Sequence, residues 1–150
     1  MPNSYVNLVY HLVFSTKERR PWLKEEWRQR IHDYLGGVIK GEGGQPIQIG
    51  GVDDHVHVLT RLRQDRAVCD VLQRVKADTT GWIHATFAGL KFFAWQEGYA
   101  AFTVSQSNID GVRSYIRNQA EHHRKRGFQE ELADLFEKHG IKPDLRFWAR

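Results

Sequence analysis

The sequence predicts an α+β fold of the split βαβ type, in which four antiparallel strands carry two helices on one face and a further helix bearing a tyrosine follows. Three observations predict it: β-prone runs at 5–15, 45–52, 55–62 and 99–104, apolar residues at helical steps between them, and the turn residues Asp53-Asp54 joining the two middle runs.

Tyr5 to Ser15 mix β-branched, aromatic and leucine residues without a helical stripe, and the polar Lys17-Glu18-Arg19-Arg20-Pro21 ends this first strand. From Trp22 to Lys40 the apolar Trp27, Ile31, Leu35 and Val38 recur as one face of a helix requires, until Gly41 to Gly44 break it. Gln45 to Val52 and His55 to Leu62 then form a hairpin around Asp53-Asp54. Ala67 to Ala88 is helical through Val68, Val71, Leu72, Val75, Trp82, Ile83 and Phe87, and Tyr99 to Val104 is the fourth strand. Asn108 offers an N-cap for a helix running to about Arg126; after Gly127, the residues Phe128, Leu132, Leu135 and Phe136 mark one more short helix. In this arrangement the sheet face away from the first two helices is open to a ligand.

With 150 residues, 41% of them hydrophobic, the chain has apolar surface for one core, so a single domain spanning 1–150 is expected. A formal charge of +4 permits a nucleic-acid partner without requiring one. The single cysteine, Cys69, excludes an internal disulfide and a thiolate zinc cluster, and reads as a small half-buried residue of a protein in a reducing compartment. No segment has the pattern of a signal peptide or the length of a membrane span, so a soluble cytoplasmic protein is expected.

Residues two apart on a strand share a face, which sets His55 beside His57 on the open surface while Val56 and Val58 point to the helices beneath. A histidine pair alone is more often incidental than ligating, and a third donor is needed. Tyr115 and Gln119, four apart, share one side of their helix, and His122 extends that side. Two neutral imidazoles and a carboxamide oxygen leave positions on a magnesium or manganese ion for phosphate oxygens and water. A phenol with a reference pKa near ~10 is a poor nucleophile at neutral pH without a cation or base to help remove its proton. With that help, Tyr115 can attack a phosphodiester and store the bond as a phosphotyrosyl link. Arg113, Arg117, Arg124, Lys125 and Arg126 on the same helix, and Lys17, Arg19 and Arg20 after the first strand, are candidate phosphate contacts or solvated faces. Trp82, Phe93 and Trp95 read as core or dimer packing, with base stacking the alternative; His11, His84 and His139 read as structural.

Tyr10-His11-Leu12-Val13-Phe14-Ser15-Thr16-Lys17, Gly50-Gly51-Val52-Asp53-Asp54-His55-Val56-His57, Phe93-Ala94-Trp95-Gln96-Glu97-Gly98-Tyr99 and Tyr115-Ile116-Arg117-Asn118-Gln119 followed by Glu121-His122-His123 occur here in one order and spacing. Together they resemble the single-tyrosine, HUH-class transposases of small insertion sequences. The resemblance implies a ferredoxin-like fold, a homodimer whose active sites can be shared between subunits, and magnesium or manganese at His55, His57 and Gln119. It also implies single-stranded DNA with imperfect hairpins as substrate and Tyr115 as the nucleophile that becomes joined to the 5′ end. Two rivals stand beside it: a non-enzymatic single-stranded nucleic-acid-binding module of the same fold, which has no use for Tyr115, and a host-adapted relative that processes chromosomal palindromes. Initiators and relaxases of the same chemistry usually carry further domains.

Overall fold

The computed structural model describes residues 4–144. At its centre is an antiparallel sheet of β1 (Val9–Ser15), β2 (Gln45–Gly51), β3 (His55–Arg61) and β4 (Ala100–Thr103), in the spatial order β2-β3-β1-β4. Helices α1 (Glu25–Gly41) and α2 (Val68–Thr86) complete the predicted split βαβ order, and α3 (Ile109–Arg117), α4 (Gln119–Lys125) and α5 (Phe128–Lys138) follow. Among the described residues no helix is long and apolar enough to cross a membrane.

The alternation of side chains along the central strands divides the molecule into two layers. Leu12, Phe14, Val56 and Val58 project to one side and join Ile31, Leu35, Val71, Leu72 and Val75 of α1 and α2 in the main core. On the other side Val13, Ala100 and Phe102 pack with Phe128, Leu132 and Phe136 of α5, while Val9 and Leu59 pack with Ile109 and Ile116 of α3. The second sheet face is therefore not open, as the first four strands and two helices alone predict. The C-terminal helices have apolar stripes of their own, and burying those stripes covers the face that carries the histidines.

Element boundaries shift for local reasons. The first strand begins at Val9 rather than Tyr5, because β3, its partner, ends where Arg61 pairs with Val9. Helix α1 begins at Glu25 rather than Trp22: Leu23 donates its N–H to the Asp53 carbonyl (2.8 Å), and Trp22 and Leu23 receive side-chain hydrogen bonds from Trp27 and Arg28. Asn108 stands at the N-cap of α3, but its side chain makes no capping bond. The single helix expected to Arg126 is divided at Asn118 (φ −100°, ψ 27°), which ends α3 and begins α4. Cys69 is exposed rather than half-buried.

Candidate active site

His55 and His57 occupy the start of β3, opposite Ser15 and Val13 of β1, and both are 0% exposed beneath the C-terminal helices. Tyr115 reaches them because α3 lies close against β2 at Gly50. A Cβ at that glycine would run into the carbonyl oxygen of Ile116, so only glycine permits this approach. The division at Asn118 leaves Tyr115 and Gln119 on the same side, and the Gln119 Oε1 is 3.3 Å from His55 Nε2. The Tyr115 ring lies edge-on to His57, with centroids 5.8 Å apart, and against His122 at 4.7 Å.

Glu131 of α5 stands at the middle of this group. Its Oε1 is 2.8 Å from His57 Nε2 and 3.5 Å from His55 Nε2. Its Oε2 accepts hydrogen bonds from the Tyr115 hydroxyl and from Gln119 Nε2 (3.3 Å), and His123 Nε2 lies 3.2 Å away, off the angle of a hydrogen bond. Behind the pair, Asp54 Oδ1 is 2.8 Å from His55 Nδ1, and His11 Nε2 is 2.8 Å from His57 Nδ1. The aspartate fixes the proton of His55 on Nδ1 and turns the Nε2 lone pair inward, the usual way a carboxylate orients a ligating imidazole. His11, expected to be structural, is thus the support of His57. His84 bonds the Phe93 carbonyl, and His139 stacks on Phe102 and lines a recess with His11, Tyr115 and Glu131.

Burial drives His57 down to about 4, with Glu131 offsetting part of the effect, so this imidazole is neutral. Burial also opposes charge on His55, but Asp54 and Glu131 outweigh it and raise its pKa. For Glu131 burial favours the neutral acid, yet the imidazoles of His123, His55 and His57 prevail and hold the carboxyl well below its usual range. Burial and the Glu131 carboxylate push the Tyr115 phenol far above its ordinary value. The phenol in this arrangement is a protonated hydrogen-bond donor.

The donor set fits a divalent cation. One ligand atom each from His55, His57 and Glu131 lie within 4.8 Å of one another, and Gln119 adds its amide oxygen. Imidazole nitrogens together with carboxylate and amide oxygens are donors that divalent cations accept. Strand and helix spacing bring together His55, His57, Tyr115 and Gln119 but do not reach Glu131. Its signal was there: Phe128, Glu131, Leu132, Leu135 and Phe136 fall on one helical face, a carboxylate within an apolar stripe.

The predicted basic contacts divide. Arg19, held by left-handed backbone at Glu18 and Arg19 (φ 56° and 54°), pairs with Asp54 at 3.8 Å and lies over the Phe128 ring. With Arg28, His123, Arg124 and Lys125 it lines a groove of about 720 Å³ beside the histidines. Lys17 and Arg20 are exposed, the latter paired with Glu18. Arg113 bonds Gln48 at 3.4 Å, and Arg117 borders a separate recess with Gln48 and Gln119. Phe93 and Trp95 are core residues at 2% and 7% exposure with no free face for a base, and Trp82 is half-buried with one ring face stacked on Tyr34.

The family model described as "Transposase IS200 like" matches residues 4–119. The ISDra2 transposase TnpA of Deinococcus radiodurans is 26% identical over 117 residues, covering 75% of this chain and 84% of the relative. The transposase of insertion sequence element IS200 from Salmonella typhimurium is 26% identical over 120 residues, covering 77% and 78%. Two solved structures share the fold. A Deinococcus radiodurans chain described as a transposase has a TM-score of 0.67 at 24% identity, covering 79% of this chain and 95% of that one. A REP-associated tyrosine transposase bound to a REP hairpin has a TM-score of 0.59 at 16% identity, covering 95% and 87%.

Proposed function

The chain belongs to the IS200-like transposase family, and we propose that it cleaves and rejoins single-stranded DNA through a 5′-phosphotyrosine at Tyr115, with a divalent cation, magnesium or manganese, held by His55, His57 and Gln119. The observation that carries this reading is the meeting of the Tyr115 hydroxyl, both imidazoles and the Gln119 amide around one buried point. Its substrate is single-stranded DNA bearing imperfect hairpins, in keeping with the REP hairpin held by a neighbour of the same fold. The protein works as a homodimer in the cytoplasm, with active sites that can be shared between the subunits; within one chain Tyr115 and His57 meet the same Glu131 carboxylate.

In the proposed step the Tyr115 oxygen forms a bond to the scissile phosphorus, the bond from phosphorus to the 3′ oxygen breaks, and the phenol's proton is balanced by protonation of that oxygen to a 3′-hydroxyl. The 5′ end stays joined to Tyr115, and attack by a 3′-hydroxyl on the phosphotyrosine later reverses the step. With the phenol raised and Glu131 lowered, the proton rests on Tyr115. A divalent cation held by His55, His57 and Gln119 would supply positive charge and act as a Lewis acid toward the phosphate. Asp54 and His11 keep the imidazoles oriented, Arg19 and the basic end of α4 attract the strand, and α5 covers the face that carries the histidines.

The test is cleavage of a hairpin-bearing single strand in the presence of Mn²⁺. Tyr115→Phe abolishes cleavage and leaves DNA binding close to that of the parent; cutting by the variant at the parent rate would remove Tyr115 from the chemistry and favour a binding module. A second biological reading, processing of repeated chromosomal palindromes by a host-adapted relative, draws on the REP-associated neighbour, whose alignment extends over 95% of the chain. Several copies of one imperfect palindrome near the gene support it; a single pair flanking the element supports the mobile insertion sequence.

A further inference from the structure

Glu131 lies beyond residue 119, where the family match ends, and the function proposed above assigns it no ligand role. It projects from a helix face that is otherwise apolar and is 3% exposed. A carboxylate in such a place is costly unless a counter-charge or several donors meet it. Here the two oxygens face different groups: Oε1 points to the imidazoles, at 2.8 Å from His57 Nε2 and 3.5 Å from His55 Nε2, while Oε2 accepts from the Tyr115 hydroxyl.

The spacing suits a metal site. Ligands bound at roughly 2.0–2.2 Å to one ion sit about 3 Å apart when adjacent. The separations of Oε1 from both histidine nitrogens, and of Gln119 Oε1 from His55 Nε2 at 3.3 Å, are already close to that. Charge argues the same way. Two neutral imidazoles and an amide, all buried, give a dication no compensating charge, whereas a carboxylate halves the net charge left to be buried.

We propose that Glu131 is a fourth protein ligand to the divalent cation, one carboxylate oxygen binding the ion while the other holds the Tyr115 hydroxyl toward it. The carboxylate then ties three parts of the chain together: β3 through the histidines, α3 through the nucleophile, and α5 through its own backbone. The proposal rests on the metal reading of His55, His57 and Gln119, and its test separates the two.

The experiment is calorimetric titration of the full-length protein with MnCl2 in the absence of DNA, together with the Mn²⁺-induced rise in melting temperature, for the parent, Glu131→Gln, Glu131→Asp and His57→Ala. Loss of a partner that merely supports a ligand weakens metal binding by roughly 10–100-fold. Glu131→Gln, with its side-chain shape retained, is therefore expected to lose at least about tenfold in Mn²⁺ affinity and most of the thermal shift. Glu131→Asp, charged but shorter, falls between this variant and the parent, and keeps the proposal testable should the glutamine variant fold poorly. Mn²⁺ binding by Glu131→Gln within twofold of the parent, or tighter than the parent, overturns the ligand role. If His57→Ala loses Mn²⁺ while the Glu131 variants keep it, only this inference fails; if His57→Ala also binds normally, the metal site itself is refuted.

Discussion

His32 is 4% exposed on α1, its Nε2 has no hydrogen-bond partner among the described residues, and burial brings its pKa down to about 4. His57 is brought to about 4 and His11 well below its ordinary value, in each case chiefly by burial. The unfolded chain binds protons at these positions near pH 6.5, before the folded chain does, so stability is full above that pH and declines as the pH falls toward 4. His55 runs the other way, its pKa being raised, and contributes stability that is present below 6.5 and lost as the pH rises through its folded value. Three imidazoles against one give a net loss on acidification. For His32 alone the loss by pH 5 is about 1–2 kcal/mol. Thermal unfolding of the metal-free protein between pH 7.5 and 5 should therefore show a falling melting temperature, and His32→Leu should flatten that slope. Equal slopes for parent and variant would contradict the assignment.

At the scale of elements, the contact between α3 and β2 sets where the nucleophile stands. Gly50 faces the Ile116 carbonyl with no room for a Cβ, and Ile116 is the residue next to Tyr115. Gly50→Ala is expected to cost about 1–3 kcal/mol of stability, as overpacking does, and to swing Tyr115 away from the histidines. Cleavage should then fall far more than hairpin binding; unchanged cleavage would mean that α3 is positioned by other contacts. The elements themselves were largely legible. Alternation in the strands and the three-and-four spacing from Trp27 to Val38 depend only on local periodicity, which the chain states directly. The start of α1 at Glu25 was not legible, because it depends on Leu23 bonding to Asp53 across the fold. Nor was the closing of the histidine face: whether the stripe of Phe128, Leu132 and Phe136 covers this sheet or another surface is a tertiary choice. The same holds for the site. His55 and His57 announce themselves by strand spacing, and Tyr115 with Gln119 by helical spacing. Glu131 and His11 enter through contacts spanning 74 and 46 residues to His57, distances over which no spacing rule speaks.

The whole molecule is a sheet with a structural layer on one side and a chemical layer on the other. Helices α1 and α2 bury the main core and keep β1 and β3 in register; α3, α4 and α5 cover the opposite face and bring Tyr115, Gln119 and Glu131 to the histidines. Basic residues gather at the rim of that second layer, around Arg19 and the end of α4, where a strand can approach the enclosed centre. The central claim is that this centre makes a covalent bond between Tyr115 and DNA. Incubation of the protein with hairpin-bearing single-stranded DNA and Mn²⁺, followed by protease digestion and mass mapping, reads that bond directly. The account predicts one adduct, a nucleotide 5′-phosphate on the peptide containing Tyr115; cleaved DNA with no protein adduct, or an adduct on another residue, would contradict it.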